Sequence, residues 1–367
     1  MVPAYNEEVT VVETVKSLLQ LDYRSYEIIV VDDGSRDETA KKVIDAFSMH
    51  RVSRPIRRQI ECQPEEFVFE TCDTRVPLTV IRKKNGGKAD ALNMGINAAN
   101  YPYFICMDAD SVLQYDSLKN ISQPILEKPN VVAVGGLIRL SNDVELESCR
   151  VKKYQLPKNI IACMQVLEYD RSFLASRIMF DKFNGSLIIS GAFGLFKKDV
   201  VIAAGGYNNK TMGEDMELVV KLHEYCTVNN MKYTKMLFNP KFGAVAYISY
   251  LYFLIYELLS PFIEIFGVLT MLLAFATDLI NIPFMVLFFL IYAVFGSVLS
   301  LTAFFSRIYT SDLKVTFSDA VKACLLCVFE ITCLRFVLAW VRATAFFGYR
   351  KKKLQWGRIE RKKINFK

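Results

Sequence analysis

Pairs of carboxylates follow two short apolar runs in the first half of the chain. Asp32 and Asp33 come directly after residues 28–31, and Asp108 and Asp110 come after residues 103–107. Such runs suit buried parallel strands, whose carboxyl ends meet at the sheet edge where ligands bind. Carboxylates at i and i+2 suit a hard divalent cation that also binds phosphate oxygens. We therefore predict a metal and phosphate site, in preference to two solvated acidic turns.

Two further segments carry residue types that suit the same chemistry. Residues 83–88, Lys-Lys-Asn-Gly-Gly-Lys, join a predicted strand to a predicted helix. Glycines allow close backbone approach to a ligand, and a helix start favours an anion, but alone the segment could be a tight turn. Asp215, in Gly213-Glu214-Asp215, is either a helix cap or a general base for an acceptor hydroxyl. The spacing favours neither role.

The elements that position these residues alternate between helical and strand patterns. Apolar residues at helical or strand spacing predict the following order: helix 9–19, strand 28–31, helix 37–47, strand 78–81, helix 89–99, strands 103–107 and 131–134, and helix 160–180. Residues 48–77 are rich in Arg, Pro and Glu, and we expect an irregular surface insertion there. This alternation predicts an α/β domain with a mostly parallel, doubly wound sheet over residues 1–234.

The second half of the chain is strongly apolar, and 52% of all 367 residues are hydrophobic. We predict a membrane region over 235–348. Residues 282–305 lack charge over 24 positions, enough to span a bilayer of ~30 Å. We expect an interfacial helix at about 245–260 and a second span at about 262–277, separated by a break at Pro261.

A third apolar block covers residues 323–348. It could span the membrane, but Glu330, Arg335 and Arg342 favour an interfacial helix. Two crossings are therefore expected, with four as the alternative.

The tail, residues 349–367, carries nine Lys or Arg and one Glu. A basic run after an apolar segment indicates the cytoplasmic face of a membrane more often than nucleic-acid binding, so no nucleic-acid partner is expected. We predict a multi-pass protein of the cell membrane whose catalytic domain and tail are cytosolic. Nine scattered cysteines indicate buried thiols in a reducing compartment, and two histidines make His-based zinc or triad chemistry improbable.

Six motifs occur in an order that resembles a known family. They are Pro3-Ala4-Tyr5-Asn6-Glu7-Glu8, Val31-Asp32-Asp33-Gly34-Ser35, Asn85-Gly86-Gly87-Lys88-Ala89-Asp90-Ala91-Leu92-Asn93, Met107-Asp108-Ala109-Asp110-Ser111, Ile189-Ser190-Gly191-Ala192-Phe193 and Gly213-Glu214-Asp215. Together they resemble a family 2 inverting glycosyltransferase with the GT-A fold. The likeness is greatest to the membrane-bound processive branch, which includes cellulose, hyaluronan and poly-N-acetylglucosamine synthases.

The resemblance implies a role for each matching position. A UDP-sugar donor would be bound by seven residues: Ala4, Tyr5 and Glu7 at the nucleotide pocket, Asp33 at the uracil base, Lys88 and Asp108 at the ribose and diphosphate, and Asp110 through Mg²⁺ or Mn²⁺. Asp215 would be the catalytic base that activates the acceptor glycan for attack with inversion. The lipid bilayer and an accessory synthase subunit are the other implied partners.

Two departures from the family pattern lead to a second hypothesis. The resemblance implies a full apolar strand before Pro3, where only Met1 and Val2 stand, so we expect an exposed apolar edge and lower stability. It also implies a Gln-x-x-Arg-Trp segment after the Gly-Glu-Asp helix, yet no Arg precedes Trp340 or Trp356. The alternative is a catalytically impaired membrane protein that binds nucleotide or a synthase partner. A polyprenyl-phosphate sugar transferase shares the fold, but the long 139–190 region favours the processive branch.

Overall fold

The computed structural model describes residues 1–71, 73–141, 144–147, 149–209, 211, 213–227, 237–310 and 313–348. The predicted basic tail at 349–367 and most of the segment at 230–240, where the Arg-Trp motif was sought, lie outside these residues.

The first sheet combines parallel and antiparallel strands. Its five strands are β1 (Val2–Ala4), β2 (Ile28–Asp32), β3 (His50–Val52), β4 (Glu65–Thr71) and β5 (Leu78–Lys83). They lie in the order β1-β2-β5-β4-β3. β1, β2 and β5 are parallel, as predicted, while β4 and β3 are added antiparallel. All five residues of β2 are buried, in keeping with its uninterrupted apolar run.

The expectation of an irregular insertion at 48–77 is wrong, because this segment contributes β3 and β4. In β4 the side chains of Val68 and Thr71 are buried, while Phe67 and Phe69 are half-buried. Val68 pairs with Ile81 of β5. The acidic and basic residues that suggested a surface loop lie on the outer part of the sheet, where Arg54 pairs with Glu70 at 2.9 Å.

A second, antiparallel sheet has the order β6-β10-β7 and joins the first at β1. Its strands are β6 (Tyr103–Cys106), β7 (Ala133–Gly135) and β10 (Gly194–Lys197). The Met1 ammonium donates to the Ile105 carbonyl at 2.7 Å, and the Met107 N–H donates to the Met1 carbonyl at 3.1 Å. The short β1 therefore lies between β2 and β6, and a mostly apolar cavity of about 330 Å³ lies beside Met1.

Helices cover both sheets. They are α1 (Val11–Leu19), α2 (Thr39–Ala46), α3 (Lys88–Ala98), α4 (Ser117–Glu127), α5 (Ile160–Arg171), α6 (Arg177–Asp181), α7 (Lys198–Ala203) and α8 (Glu214–Thr227). A small hairpin, β8 (Glu145–Glu147) and β9 (Arg150–Lys153), precedes α5. The predicted long helix at 160–180 is present as α5 and α6 with a π-helical turn, Ser172–Ser176, between them. The α/β architecture is thus confirmed.

The second half of the chain is helical. After a 3₁₀ turn (Pro240–Phe242) and the π-helical Val245–Ser249, it contains α9 (Tyr250–Tyr252), the π-helical Phe253–Leu258, α10 (Ser260–Ala276), α11 (Ile282–Thr310), α12 (Phe317–Phe329), the π-helical Glu330–Leu334 and α13 (Arg335–Gly348). By length and composition, Ile282–Thr310 and Phe317–Ala345 are each able to cross a membrane. Val245–Leu258 and Ser260–Ala276 are a third candidate only as one bent pair, with a bend of 53°.

Two ion pairs involve charged residues within these helices. Arg335 of α13 contacts Glu264 of α10 at 2.7 Å, and Arg171 at the end of α5 contacts Glu330 at 2.7 Å. Pairing offsets much of the cost of charge in an apolar setting. The interfacial helix expected for residues 323–348 and the spanning alternative both stay predictions.

A buried ion pair fastens the α/β domain to α11. Arg307 donates to both carboxylate oxygens of Asp170 on α5, at 3.0 and 2.9 Å, and the two residues are 3% and 2% exposed. Arg171 also donates to Ser300 of α11 at 2.9 Å. Loss of either partner would leave an unpaired buried charge, at a cost of about 3–5 kcal/mol, so the contact between α5 and α11 requires both residues.

Candidate active site

The loops after β1 and β2 are interlocked by hydrogen bonds. The backbone N–H of Asn6 donates to Ser35 Oγ at 3.0 Å, and that of Glu7 donates to Thr39 Oγ1 at 2.8 Å. Asn6 adopts a positive φ of 56°, a conformation that Asn tolerates better than most residues. These bonds hold the loop after β1 against the start of α2, the helix that follows β2.

Of the three residues predicted to line the nucleotide pocket, Ala4 ends β1 and Tyr5 and Glu7 lie in that loop. Ala4 and Glu7 are 2% and 7% exposed, while Tyr5 is half-buried. Thr10 donates to Glu7 Oε2 at 2.9 Å, so this carboxylate already contributes to the loop's own structure. Tyr5 is the most accessible of the three to a ligand.

Asp33 lies at the end of β2, and its carboxylate binds the glycine loop. Oδ1 accepts a hydrogen bond from the Gly86 N–H at 3.0 Å and one from the Lys83 ammonium, and Oδ2 accepts one from the Gly87 N–H at 2.7 Å. The residue is 3% exposed. Burial raises the pKa of this carboxyl, although Lys83 and the two N–H groups oppose the shift. Its predicted contact with uracil stays a prediction, since both oxygens already have donors.

Lys83 and Asp90 complete this network, and neither was predicted to be a site residue. The Lys83 ammonium is 0% exposed and contacts Asp90 Oδ1 at 2.6 Å. Asp90 also accepts from the Gln63 N–H at 3.1 Å and from Asn209 at 3.0 Å. Two features of the sequence could have identified these residues. Lys83 ends the apolar run of β5, and Asp90 lies on the apolar helix α3. We call Asp33, Lys83 and Asp90 the buried charge network.

Lys88, Asp108 and Glu214 meet at the open edge of the sheet. Lys88 Nζ lies 2.7 Å from Asp108 Oδ1 and 3.8 Å from Glu214 Oε1. Although burial alone would lower the pKa of Lys88, the net shift is upward, because Asp108, Asp215 and Glu214 surround it. Lys88 therefore keeps its positive charge and binds the acidic residues of two distant segments.

Asp215 is held by a single backbone donor. It lies in the first turn of α8, and its Oδ2 accepts from the Gly191 N–H at 2.7 Å. Its Oδ1 is buried and has no hydrogen-bond partner among the described residues. Burial raises the pKa of Asp215, Lys88 and the Gly191 N–H lower it, and Asp108 raises it. A desolvated carboxylate with one unpaired oxygen has the properties of a general base.

Asp110 is half-buried and lines a cavity of about 530 Å³ that extends past Phe193 to Arg307 of α11. Within the part of the chain that the structure describes, no cluster of three or more Asp, Glu, His or Cys could hold a metal ion. Mg²⁺ at nucleotide sites commonly takes one or two carboxylates, with phosphate and water oxygens as its remaining ligands. The residues present therefore fit an ion that arrives with a diphosphate.

The structure thus brings four of the eight predicted site residues to one region. Lys88, Asp108 and Asp215 are coupled at the edge formed by β6 and the start of α8. Asp33 accepts a hydrogen bond from Gly86, in the loop that precedes Lys88. Gly191 was quoted only as part of a motif, yet it contacts the candidate base directly.

Comparison with known proteins agrees with this architecture. The family model described as "Glycosyl transferase family 2" matches residues 1–60 and 65–203, more than half of the chain. This chain belongs to glycosyl transferase family 2, a family of enzymes that transfer sugars. The predicted GT-A class of the α/β domain is thereby confirmed.

The curated relatives include polysaccharide synthases. A poly-beta-1,6-N-acetyl-D-glucosamine synthase of Staphylococcus epidermidis is 32% identical over 228 residues, covering 61% of this chain and 45% of the relative. The protein of the same name from Staphylococcus aureus strain COL is 29% identical over the same extent. The chain therefore spans about half the length of the curated relatives it matches.

Among solved structures, a mannosyltransferase from Pyrobaculum calidifontis, in complex with GDP-Man and Mn²⁺, superposes with a TM-score of 0.48 at 16% identity. The superposition covers 90% of this chain and 86% of the other.

Proposed function

We propose that this protein transfers a sugar from a UDP-sugar to a growing glycan, with inversion at the anomeric carbon, at the cytosolic face of a membrane. The observation that carries the proposal is the state of Asp215: one carboxylate oxygen is fixed by a backbone N–H, and the other is buried without a partner among the described residues. Buried polar atoms are nearly always satisfied, so an orphan acceptor close to Lys88 and Asp108 supports a substrate donor at this position.

The acceptor hydroxyl is the donor that suits this oxygen. Asp215 Oδ1 would accept its proton while the acceptor oxygen forms a bond to the anomeric carbon from the face opposite the diphosphate. The bond from that carbon to the diphosphate breaks, and its electron pair leaves with UDP. General base catalysis of this kind contributes about 10²–10⁴-fold to the rate.

The diphosphate side is served by Lys88, Asp108 and Asp110. Lys88 carries a positive charge at the edge where the departing diphosphate gains negative charge. Asp110 would hold Mg²⁺ or Mn²⁺, which, when bound, neutralises phosphate charge as a Lewis acid. Ala4, Tyr5, Glu7 and Asp33 would surround the nucleotide, with Tyr5 the side chain best placed for contact.

The sugar and the membrane setting are proposed from the relatives and from the helices. The names of the curated relatives favour N-acetylglucosamine as the donor sugar and its polymer as the acceptor. Of the two helices able to cross a membrane, Ile282–Thr310 contacts α5 through Arg307 and Asp170, and Phe317–Ala345 contacts it through Glu330 and Arg171. A donor made in the cytosol requires the catalytic domain on that side, and an accessory synthase subunit is a further partner to test.

The test is metal-dependent release of UDP from UDP-N-acetylglucosamine by the full chain in lipid nanodiscs. Asp215→Asn should lower turnover by about 10²–10⁴-fold, because the amide cannot accept the proton, while UDP binding remains. Glu224→Gln, on the same helix, is the matched control and should stay active.

Release by the wild type no faster than by Asp110→Ala would contradict the proposal. UDP binding without turnover would then favour the impaired membrane protein. Turnover retained in Asp215→Asn would exclude Asp215 as the base.

A further inference from the structure

Gly191 lies in a turn that is held on both sides. The Phe193 N–H donates to the Ser190 carbonyl at 3.1 Å, and the Gly136 N–H donates to the Phe193 carbonyl at 2.9 Å. Ile189, just before the turn, is 7% exposed and packs in one cluster with Leu218 of α8. The turn and the first part of α8 therefore share a core, which fixes the distance between them.

The space between this turn and α8 admits only a glycine. A Cβ atom at position 191 would lie 2.3 Å from Asp215 Oδ1 and 2.6 Å from Oδ2. Both distances are far below van der Waals contact, and the two oxygens belong to the short side chain of a helix residue. Gly191 does not require a positive φ, so its small size and not its backbone freedom is what this position uses.

We propose that Gly191 is a positioning residue that determines which oxygen of Asp215 acts as the base. Its N–H binds Oδ2, fixes the carboxylate plane and leaves Oδ1 as the atom that receives the proton from the acceptor hydroxyl. The same hydrogen bond favours the ionised form of Asp215. This inference depends on the proposed function, because it assumes that Asp215 is the base.

The first test is Gly191→Ala. The added methyl group displaces the carboxylate from its bond to the backbone, and a shift of about 1 Å at a reacting group costs on the order of 10²-fold in rate. We expect kcat for UDP release to fall by about 10–100-fold, with the KM for UDP-N-acetylglucosamine unchanged. The acid limb of the rate profile should move to higher pH, because Asp215 loses a donor that lowers its pKa.

Gly213→Ala is the matched control. It lies two residues from Asp215, and a Cβ there would meet no atom within 4 Å. It should leave kcat and the acid limb unchanged. A merely structural role for Gly191 would lower the melting temperature without moving the acid limb, and that result would overturn the proposal.

If Gly191→Ala does not fold, as judged by loss of UDP binding, Asp215→Glu tests the same proposal. The extra methylene carries the carboxylate past the Gly191 N–H, so a loss of turnover of about 10–100-fold is expected while UDP binding persists. Full turnover in Asp215→Glu would refute placement by Gly191. Full turnover in Asp215→Asn would instead refute the proposed function, so the two failures are distinguishable.

Discussion

Two glycines in this molecule lie against aspartate carboxylates, and the two aspartates are in opposite states. A Cβ on Gly86 would lie 2.5 Å from Asp90 Cγ, and one on Gly191 would lie 2.3 Å from Asp215 Oδ1. Asp90 is 2% exposed, and both its oxygens accept hydrogen bonds. Asp215 has one oxygen bonded and one without a partner among the described residues.

The comparison distinguishes a carboxylate that stabilises the fold from a carboxylate that is able to bind a substrate. A buried carboxylate with all acceptors satisfied has no capacity left for a substrate and stabilises the fold. A buried carboxylate oxygen without a hydrogen-bond donor costs free energy, and a substrate that donates to it removes that cost. Disturbing Asp90 and its partners should therefore lower stability first, whereas disturbing Asp215 and its partners should lower turnover first.

Lys83→Met should have the largest effect on stability. The buried ammonium is the counter-ion of both Asp33 and Asp90, and its loss leaves two buried carboxylates without a positive partner. Removing one member of a buried ion pair costs about 3–5 kcal/mol. We expect a pronounced drop in melting temperature in detergent micelles.

Lys16→Met is its control. Lys16 contacts Glu13 at 2.8 Å, but its side chain is 53% exposed. Exposed pairs contribute about 0–1 kcal/mol, so its melting temperature should hardly change. Equal melting temperatures for the two variants would disprove the structural role of the buried charge network.

Gly86→Ala should have an intermediate effect, again on stability. The new methyl group collides with the Asp90 side chain, which Lys83 and Asn209 hold in place. Overpacking of this kind costs about 1–3 kcal/mol. Its melting temperature should fall below that of Gly213→Ala, and its loss of kcat should be smaller than that of Gly191→Ala. The reverse order of kcat losses would invalidate the division between the two glycines.

Lys88→Gln should lower turnover, because it removes a positive charge from the diphosphate side, and it should also shift the pH dependence of turnover. Asp215 must be ionised to accept a proton, so turnover falls as pH drops through its pKa, which burial has already raised. Lys88 lowers this pKa, and therefore its removal raises it further and moves the acid limb of kcat/KM to higher pH. Lys84→Gln, in the same loop but exposed, should leave the limb in place. An acid limb that moves to lower pH in Lys88→Gln would contradict this assignment.

Much of the α/β domain was predictable, because uninterrupted apolar runs such as the one in β2 and the helical spacing of α1 require burial whatever the partner. The segment at 48–77 was not, since Val68 becomes recognisable as a core residue only once β4 is paired with β5. The membrane blocks were recognisable by composition. The pairing of Arg335 with Glu264 was not, because the two residues are 71 positions apart.

The sequence by itself determined the residue types at the candidate site, their order and the family to which the chain belongs. Those properties follow from local patterns and from motifs that can be recognised without knowledge of tertiary contacts. Only the tertiary structure decided that both oxygens of Asp90 accept hydrogen bonds, while Asp215 has an oxygen without a partner among the described residues. Whether a carboxylate oxygen has a partner depends on donors from distant segments of the chain. The Gly191 N–H, for example, is 24 positions from Asp215, and local sequence patterns do not predict that contact.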